Sequence, residues 1–107
     1  GPHMPLGVEI YKDCPVFYGI GNFSFDIGHR EKHPDWIGTF ATVQIEDGEV
    51  MEVSTQLIRH NAANETYLRN PGDEPEEVAN ILNRSQVLGT DLNVEEDRIL
   101  VWKKLIL

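Results

Sequence analysis

Two short apolar runs near the N-terminus form the pattern around which the rest of the chain is organised. Residues 8–11 and 15–20 are rich in Val, Ile, Phe and Tyr, and the polar pair Lys12-Asp13 separates them. Short apolar runs bounded by Gly, Pro or Asp are typical of strands that are buried on both faces. The pattern therefore predicts a β-hairpin at the centre of a sheet.

A second hairpin is predicted in the middle of the chain. The segments 39–45 and 50–58 alternate between apolar and polar side chains on either side of a Glu-Asp-Gly tripeptide. A two-residue turn would pair Val43 with Glu52 and mix the two faces, whereas a three-residue loop pairs Val43 with Met51. We therefore predict the three-residue loop, because it keeps one apolar face.

The sequence predicts one helix in the second half of the chain. Asp73 can cap its start, and Pro75 suits its first turn. Val78, Ile81, Leu82 and Ser85 follow helical spacing, Leu88 extends the stripe, and Gly89 closes the segment. The helix therefore has one narrow apolar face, which is suited to covering a sheet.

The remaining segments complete an α+β prediction. Residues 27–35 are polar and form a predicted loop, residues 59–70 are irregular, and residues 98–107 carry another strand pattern. Antiparallel β-hairpins then form one sheet with one covering helix. A chain of 107 residues is one domain or part of one.

Composition and charge limit the function classes. The chain has 18 acidic and 9 basic side chains, which give a formal net charge of -9. Such a surface repels phosphate backbones, so we expect no nucleic-acid partner. No window approaches the roughly 18 apolar residues of a membrane span.

Cys14 is the only cysteine. Its apolar surroundings predict a buried, inert thiol rather than a nucleophile.

The N-terminal quarter carries a motif that can be compared with a known family. From residue 7 it reads Gly-Val-Glu-Ile-Tyr-Lys, and from residue 15 Pro-Val-Phe-Tyr-Gly-Ile-Gly-Asn-Phe. This resembles the last motif block of the CapA (PgsA) family of poly-gamma-glutamate capsule biosynthesis proteins. That block reads Gly-His-x-Pro-His, a short linker, Gly-(Ile/Val)-Glu-(Ile/Val)-Tyr-Lys-Gly and Pro-Ile-Phe-Tyr-Ser-Leu-Gly-Asn-Phe. Asp13 and Gly19 depart from it, where the family has Gly and Ser.

The resemblance implies a fold, a metal and a set of candidate residues. The family has a metallophosphoesterase-like α/β sandwich, of which this chain would be the C-terminal portion. His3 would be one ligand of a divalent metal centre of manganese, iron or zinc. Asn22 and Glu9 lie in the matched motifs, with a role in substrate contact or in local structure. The remaining ligands would come from upstream residues, so no cofactor is expected in the isolated chain, which is predicted to be inactive.

The same resemblance implies partners and a location. The partners would be the remainder of the parent domain and a capsule synthesis complex. The parent would be a hydrolase of the phosphoesterase type, at the extracellular face of the bacterial cell membrane.

Three alternatives stay open on the sequence alone. Residues 1–4, Gly-Pro-His-Met, are either native or the remnant of a cleaved expression tag. His29 and His33 have the four-residue spacing of helical metal ligands, but Pro34 disfavours a helix there, so an exposed loop is favoured. The whole chain could instead be a small non-enzymatic α+β module that binds a protein partner or oligomerises.

Overall fold

The computed structural model describes residues 4–21, 37–61, 63 and 65–105, which form an α+β fold with antiparallel sheets and a single helix. The predicted fold class is confirmed at this level. The strands are β1 (Val8–Tyr11), β2 (Cys14–Phe17), β3 (Ile37–Glu46), β4 (Glu49–His60), β5 (Thr66–Arg69), β6 (Asn93–Val94) and β7 (Ile99–Lys103). The helix α1 spans Pro75–Val87 and follows a short 3-10 turn at Pro71–Asp73.

The long strand β4 is central to a five-stranded antiparallel sheet. β3 pairs along one side of β4. On the other side, β5 pairs with one half of β4 and β7 pairs with the other half, while β6 lies beyond β7. β5 falls in the segment that we predicted to be irregular, because four residues carry too short a pattern to identify from sequence.

The N-terminal hairpin is a separate two-stranded ribbon and not the centre of a sheet, so that prediction was wrong. β1 and β2 pair with each other, and an isolated bridge between Pro5 and Ile20 lies next to the ribbon. A second bridge, between Gly21 and Gly38, connects the end of this segment to the start of β3. Val8 and Ile10 face the core, whereas Glu9 lies on the opposite face. The apolar run therefore alternates between a buried and an open face, because a ribbon can cover only one side of the core.

The register of the β3–β4 hairpin also differs from the prediction. Asp47 and Gly48 form a two-residue turn with φ values of 50° and 78°, as the type I′ turn requires. A bulge next to Ile45 then shifts the register, so that Val43 lies opposite Val53 and not opposite Met51. The two-residue turn is therefore compatible with a single apolar face. The extra residue of the bulge shifts the pairing so that apolar side chains lie opposite each other.

The helix matches its predicted position with one change at its start. Pro75 is its first residue, and its N-cap is Glu74, not Asp73, which lies in the 3-10 turn. At its end, Gly89 has a φ of 82°, and the N–H of Thr90 donates to the carbonyl of Ser85 in a Schellman motif. Within the described ranges, no helix is long and apolar enough to cross a membrane.

One hydrophobic core joins the ribbon, the sheet and the helix. Its buried members come from β1, β3, β4, α1 and β7 and from the loop before β6: Val8, Ile37, Val53, Leu57, Val78, Ile81, Leu92, Ile99 and Val101. The buried residues of α1 are Val78, Ile81 and Ser85, which all belong to the predicted stripe, and Leu82 of that stripe is partly buried against the core. The helix therefore covers the sheet, and the same face contacts the ribbon.

A buried ion network fixes the start of the helix to the sheet. Glu74 is 8% exposed and accepts hydrogen bonds from Arg59 Nε at 2.5 Å, Arg59 Nη2 at 2.9 Å and Arg69 Nε at 3.1 Å. The bonds from Arg59, followed by that from Arg69, hold the pKa of Glu74 below its ordinary value. One carboxylate thus links β4, β5 and the N-cap of α1.

Replacing Glu74 with Gln is expected to lower the free energy of unfolding by about 2–4 kcal/mol at pH 7, because two arginines lose their charged acceptor. A carboxylate with a depressed pKa stabilises the fold above its unfolded pKa, and this contribution disappears as the pH falls through the folded pKa. The deficit of the variant should therefore be smaller at pH 3 than at pH 7. Urea denaturation at the two pH values measures it.

The exposed neighbour Glu76 supplies the matched control, and Glu76→Gln should change stability by less than about 0.5 kcal/mol. Equal losses in the two variants, or a Glu74→Gln deficit that is as large at pH 3 as at pH 7, would contradict the role of the network.

Candidate functional site

The motif-bearing ribbon presents one open face, and the candidate residue Glu9 lies on it. The phenol of Tyr18 donates a hydrogen bond to Glu9 Oε1 at 2.5 Å. Tyr11 and Tyr18 are 56% and 50% exposed. The open face therefore combines a carboxylate with two accessible phenol rings, while the other face of the ribbon is packed on the core.

Glu9 controls the acidity of its partner. The hydrogen bond to the carboxylate favours the neutral phenol and is the main reason that the pKa of Tyr18 is raised above 10.0, with the negative charge of Glu9 acting in the same direction. Tyr18 is therefore a hydrogen-bond donor throughout the physiological pH range. It is not a candidate for a general base.

The chain that leads into β1 is held against the end of α1. The N–H of Val8 donates to Ser85 Oγ at 3.0 Å, and Arg84 Nη1 donates to the carbonyl of Pro5 at 2.7 Å. Gly7 lies so close to the helix that a Cβ atom there would be 2.7 Å from the carbonyl oxygen of Arg84. Only glycine permits this approach. The start of the ribbon is thus fixed by contacts with residues that lie far away in the sequence.

Two of the three candidate residues, His3 and Asn22, lie outside the described residues, as do His29 and His33. Arg84 Nη2 lies 3.8 Å from Met4 Sδ, so a guanidinium group contacts the residue that follows His3. In the part of the chain that the structure describes, no group of three or more His, Cys, Asp or Glu side chains could hold a metal ion. Of the predicted site residues, the structure therefore places Glu9 alone.

Two open depressions lie outside the ribbon face. A cleft of about 390 Å³ lies beside the β1–β2 turn and is lined by Asp13, Trp102 and the ion pair between Lys104 and Glu49. A groove of about 250 Å³ lies on the sheet and is largely apolar. Its lining residues are Phe40, Gln56, Ile58, Thr66, Tyr67 and Leu68. Neither depression brings together an acid, a base and a nucleophile in a catalytic arrangement.

The single cysteine is exposed, which corrects the predicted buried thiol. Cys14 is the first residue of β2 and lies opposite Tyr11, directly after the tight turn of Lys12 and Asp13. The apolar run on which the prediction rested belongs to a ribbon with one open face. Its outward positions are therefore accessible to solvent despite their apolar neighbours.

The bond between Glu9 and Tyr18 was not foreseen, although the sequence contains its signal. A two-residue turn at Lys12 and Asp13 places Glu9 opposite Val16. Tyr18 then lies diagonally across the ribbon from Glu9, within reach of a long side chain. The contacts of Ser85 and Arg84 with the ribbon could not be found in this way, because they depend on tertiary packing.

Comparison with known proteins gives a short match only. No family model matches the chain. Two curated proteins of Sinorhizobium fredii, y4sH and y4uA, are each 58% identical to it over 26 residues, which are 24% of this chain. The match covers 6% of the length of each of those proteins, and both are named as uncharacterized. The chain is thus similar to a small segment of two longer proteins.

Replacing Glu9 with Gln is expected to bring the pKa of Tyr18 back towards 10, because both the charged acceptor and the nearby negative charge are removed. Since the folded pKa of Tyr18 is raised, the contribution of this bond to stability is present below pH 10 and is lost as the pH rises through the folded pKa. NMR titration of the Tyr18 ring measures the shift.

Glu49→Gln is the control for this titration, since Glu49 pairs with Lys104. The control should leave the pKa of Tyr18 unchanged. A Tyr18 pKa that is the same in the wild type and in Glu9→Gln would show that the hydrogen bond is absent in solution.

Proposed function

We propose that this chain is the C-terminal segment of a CapA-like protein of poly-gamma-glutamate or capsule biosynthesis, and that it completes a metallophosphoesterase-like domain. The proposal rests on the motifs that begin at residues 7 and 15. Its finer fold assignment, an α/β sandwich completed by upstream residues, is likewise a proposal. The segment serves as scaffold, and its parent carries the chemistry.

The observation that carries this proposal is the attachment of the motif ribbon to α1. Pro5 is fully buried, and its carbonyl accepts the hydrogen bond from Arg84. Val8 is bound to Ser85 in the same region. A side chain just before this segment would therefore be attached next to a backbone that packing holds in place. A metal ligand requires such support. In the proposed parent domain, residues 75–88 hold the ribbon in place.

His3 would supply one imidazole nitrogen to the metal centre. Imidazole together with carboxylate oxygens suits manganese, iron or zinc. Such ions polarise a phosphoryl oxygen and activate a bound water. A single imidazole cannot hold a pair of ions, so the other ligands would come from the part of the parent that precedes Gly1. This chain by itself would be without activity.

Glu9 and Asn22 would have supporting roles. Because Glu9 accepts a hydrogen bond from Tyr18 on the open ribbon face, we favour a structural role for it over direct substrate contact. For Asn22, which follows Gly21 in the sequence, we favour a role in a local turn over substrate contact. The open ribbon face would pack against the remainder of the parent domain. A capsule synthesis complex at the extracellular face of the bacterial membrane would be the wider setting.

The test uses the parent protein with its upstream residues. Its sequence should contain Asp-x-His and Asn-His motifs, and titration calorimetry should show tight binding of Mn²⁺. His3→Ala in the parent is expected to weaken this binding by about 100-fold or more, because a direct ligand is lost. His29→Ala, in the predicted loop, is the matched control and should leave the affinity unchanged.

Two results would refute the proposal. One is a parent gene that starts at Met4 or lacks the upstream motifs. The other is a parent whose Mn²⁺ affinity is the same with and without His3. Release of Mn²⁺ on substitution of His29 would instead assign the metal to the predicted loop.

A further inference from the structure

On the edge of β3 that faces away from β4, a defined set of backbone N–H and C=O groups points outward. The N–H of Thr39 donates to the carbonyl of Ile20 at 2.6 Å, on the side away from β4. The carbonyl of the next residue, Phe40, points to β4 and accepts a hydrogen bond from the side-chain hydroxyl of Thr55. Since backbone groups of successive strand residues point to alternate sides, the N–H and C=O groups of Ala41, Val43 and Ile45 point outward.

This edge lacks charged residues and proline, two of the usual protections against strand pairing. Among the described residues, no backbone group pairs with the outward groups of Ala41, Val43 or Ile45. Residues 39–45 contain no charged residue and no proline, which are two of the devices by which proteins protect exposed edges. The side chains of Val43 and Ile45 are 41% and 61% exposed. The edge is therefore a template for one more strand.

We propose that a second copy of this chain pairs with this edge, β3 against β3, in an antiparallel arrangement with Val43 on the two-fold axis. Ala41 of each copy then lies opposite Ile45 of the other, and Thr42 lies opposite Gln44. Apolar residues thus meet on the face of Ala41, Val43 and Ile45, and the polar residues Thr42 and Gln44 meet on the other face. A shift by one residue would mix the two faces, so the match disfavours that alternative register.

Charge favours this segment as the place where two copies meet. The chain carries a net charge of -9, so most approaches of a second copy bring like charges together. Within the proposed pairing the first acidic residue is Glu46, and it lies opposite Phe40 of the other copy, not opposite an acid. The neutral strand is thus a surface on which two acidic molecules can join.

The interface would be small and the dimer correspondingly weak. The outward groups of three residues in each copy give about six inter-chain hydrogen bonds, each of modest net value. Interfaces of this size lie at the low end for specific complexes, so we expect a reversible dimer that depends on concentration. The inference is independent of the proposed function, because it concerns the isolated chain as it exists.

Sedimentation equilibrium over a wide concentration range is the first test. The wild type is expected to show a reversible monomer–dimer equilibrium. Val43→Lys should raise the dissociation constant by about fivefold or more, because two lysines would face each other on the two-fold axis. Val87 is 87% exposed on α1, so Val87→Lys is a control of identical chemistry and should leave the equilibrium unchanged.

Disulfide trapping tests the register and does not depend on the folding of a charged variant. With Cys14 replaced by Ser, Val43→Cys should form a covalent dimer on mild oxidation, since paired Cα atoms lie about 5.5 Å apart. Ile45→Cys is equally accessible, but its symmetry mate would lie four residues away, about 13 Å along the strand. It should therefore cross-link much more slowly.

Several outcomes would overturn the proposal. A monomer at every concentration rules out the second copy as the occupant of the edge. A dimer that resists Val43→Lys but dissociates with Leu68→Lys assigns association to the apolar groove on the sheet that Leu68 lines. Equal cross-linking at positions 43 and 45 contradicts the register. A dimer that disappears when the upstream residues of the parent are present assigns the edge to the rest of the parent.

Discussion

The hydrogen bond from the N–H of Val8 to Ser85 Oγ is the contact on which the arrangement of the molecule depends. It joins residues 77 positions apart, and Ser85 is completely buried. A two-stranded ribbon is at best marginally stable alone in water, so β1 and β2 need a surface against which to pack. α1 supplies that surface, because Gly7 has no Cβ and its backbone can approach the helix to van der Waals contact.

This attachment determines which face of the ribbon is accessible for a function. Because the inner face with Val8, Ile10 and Phe17 is packed on the core, the face with Glu9 and Tyr18 is left open. The helix is held to the sheet by its apolar stripe and by the ion network of Glu74 at its start. The ribbon is thus connected to the sheet through α1, in addition to the bridge between Gly21 and Gly38 at the start of β3, and the sheet, helix and ribbon form one packed body.

The sequence could predict those features that depend on local rules. The helix was predictable because Pro75, the apolar stripe from Val78 to Leu88 and the closing Gly89 follow local rules that act within a few residues. The turn at Lys12 and Asp13 was predictable for the same reason. The β3–β4 register was not, because a bulge reconciled the two-residue turn with a single apolar face.

Other features depend on packing that no local pattern contains. The ribbon was predicted at the centre of a sheet because an apolar run does not reveal how many of its faces are covered. Ser85 was identified as a member of the helical stripe, but its partner Val8 is distant in sequence. In the candidate site, Glu9 could be identified from the sequence. The contacts that hold the ribbon against α1 could not.

Native-state hydrogen exchange of the Val8 amide tests the central claim most directly. If α1 makes the ribbon and the sheet one cooperative unit, the Val8 amide should exchange with the same opening free energy as the amides of Val53 and Leu57 in β4, close to that of global unfolding. A Val8 amide that exchanges through a much smaller opening free energy, while the β4 amides stay protected, would show that the ribbon detaches by itself and would contradict the account.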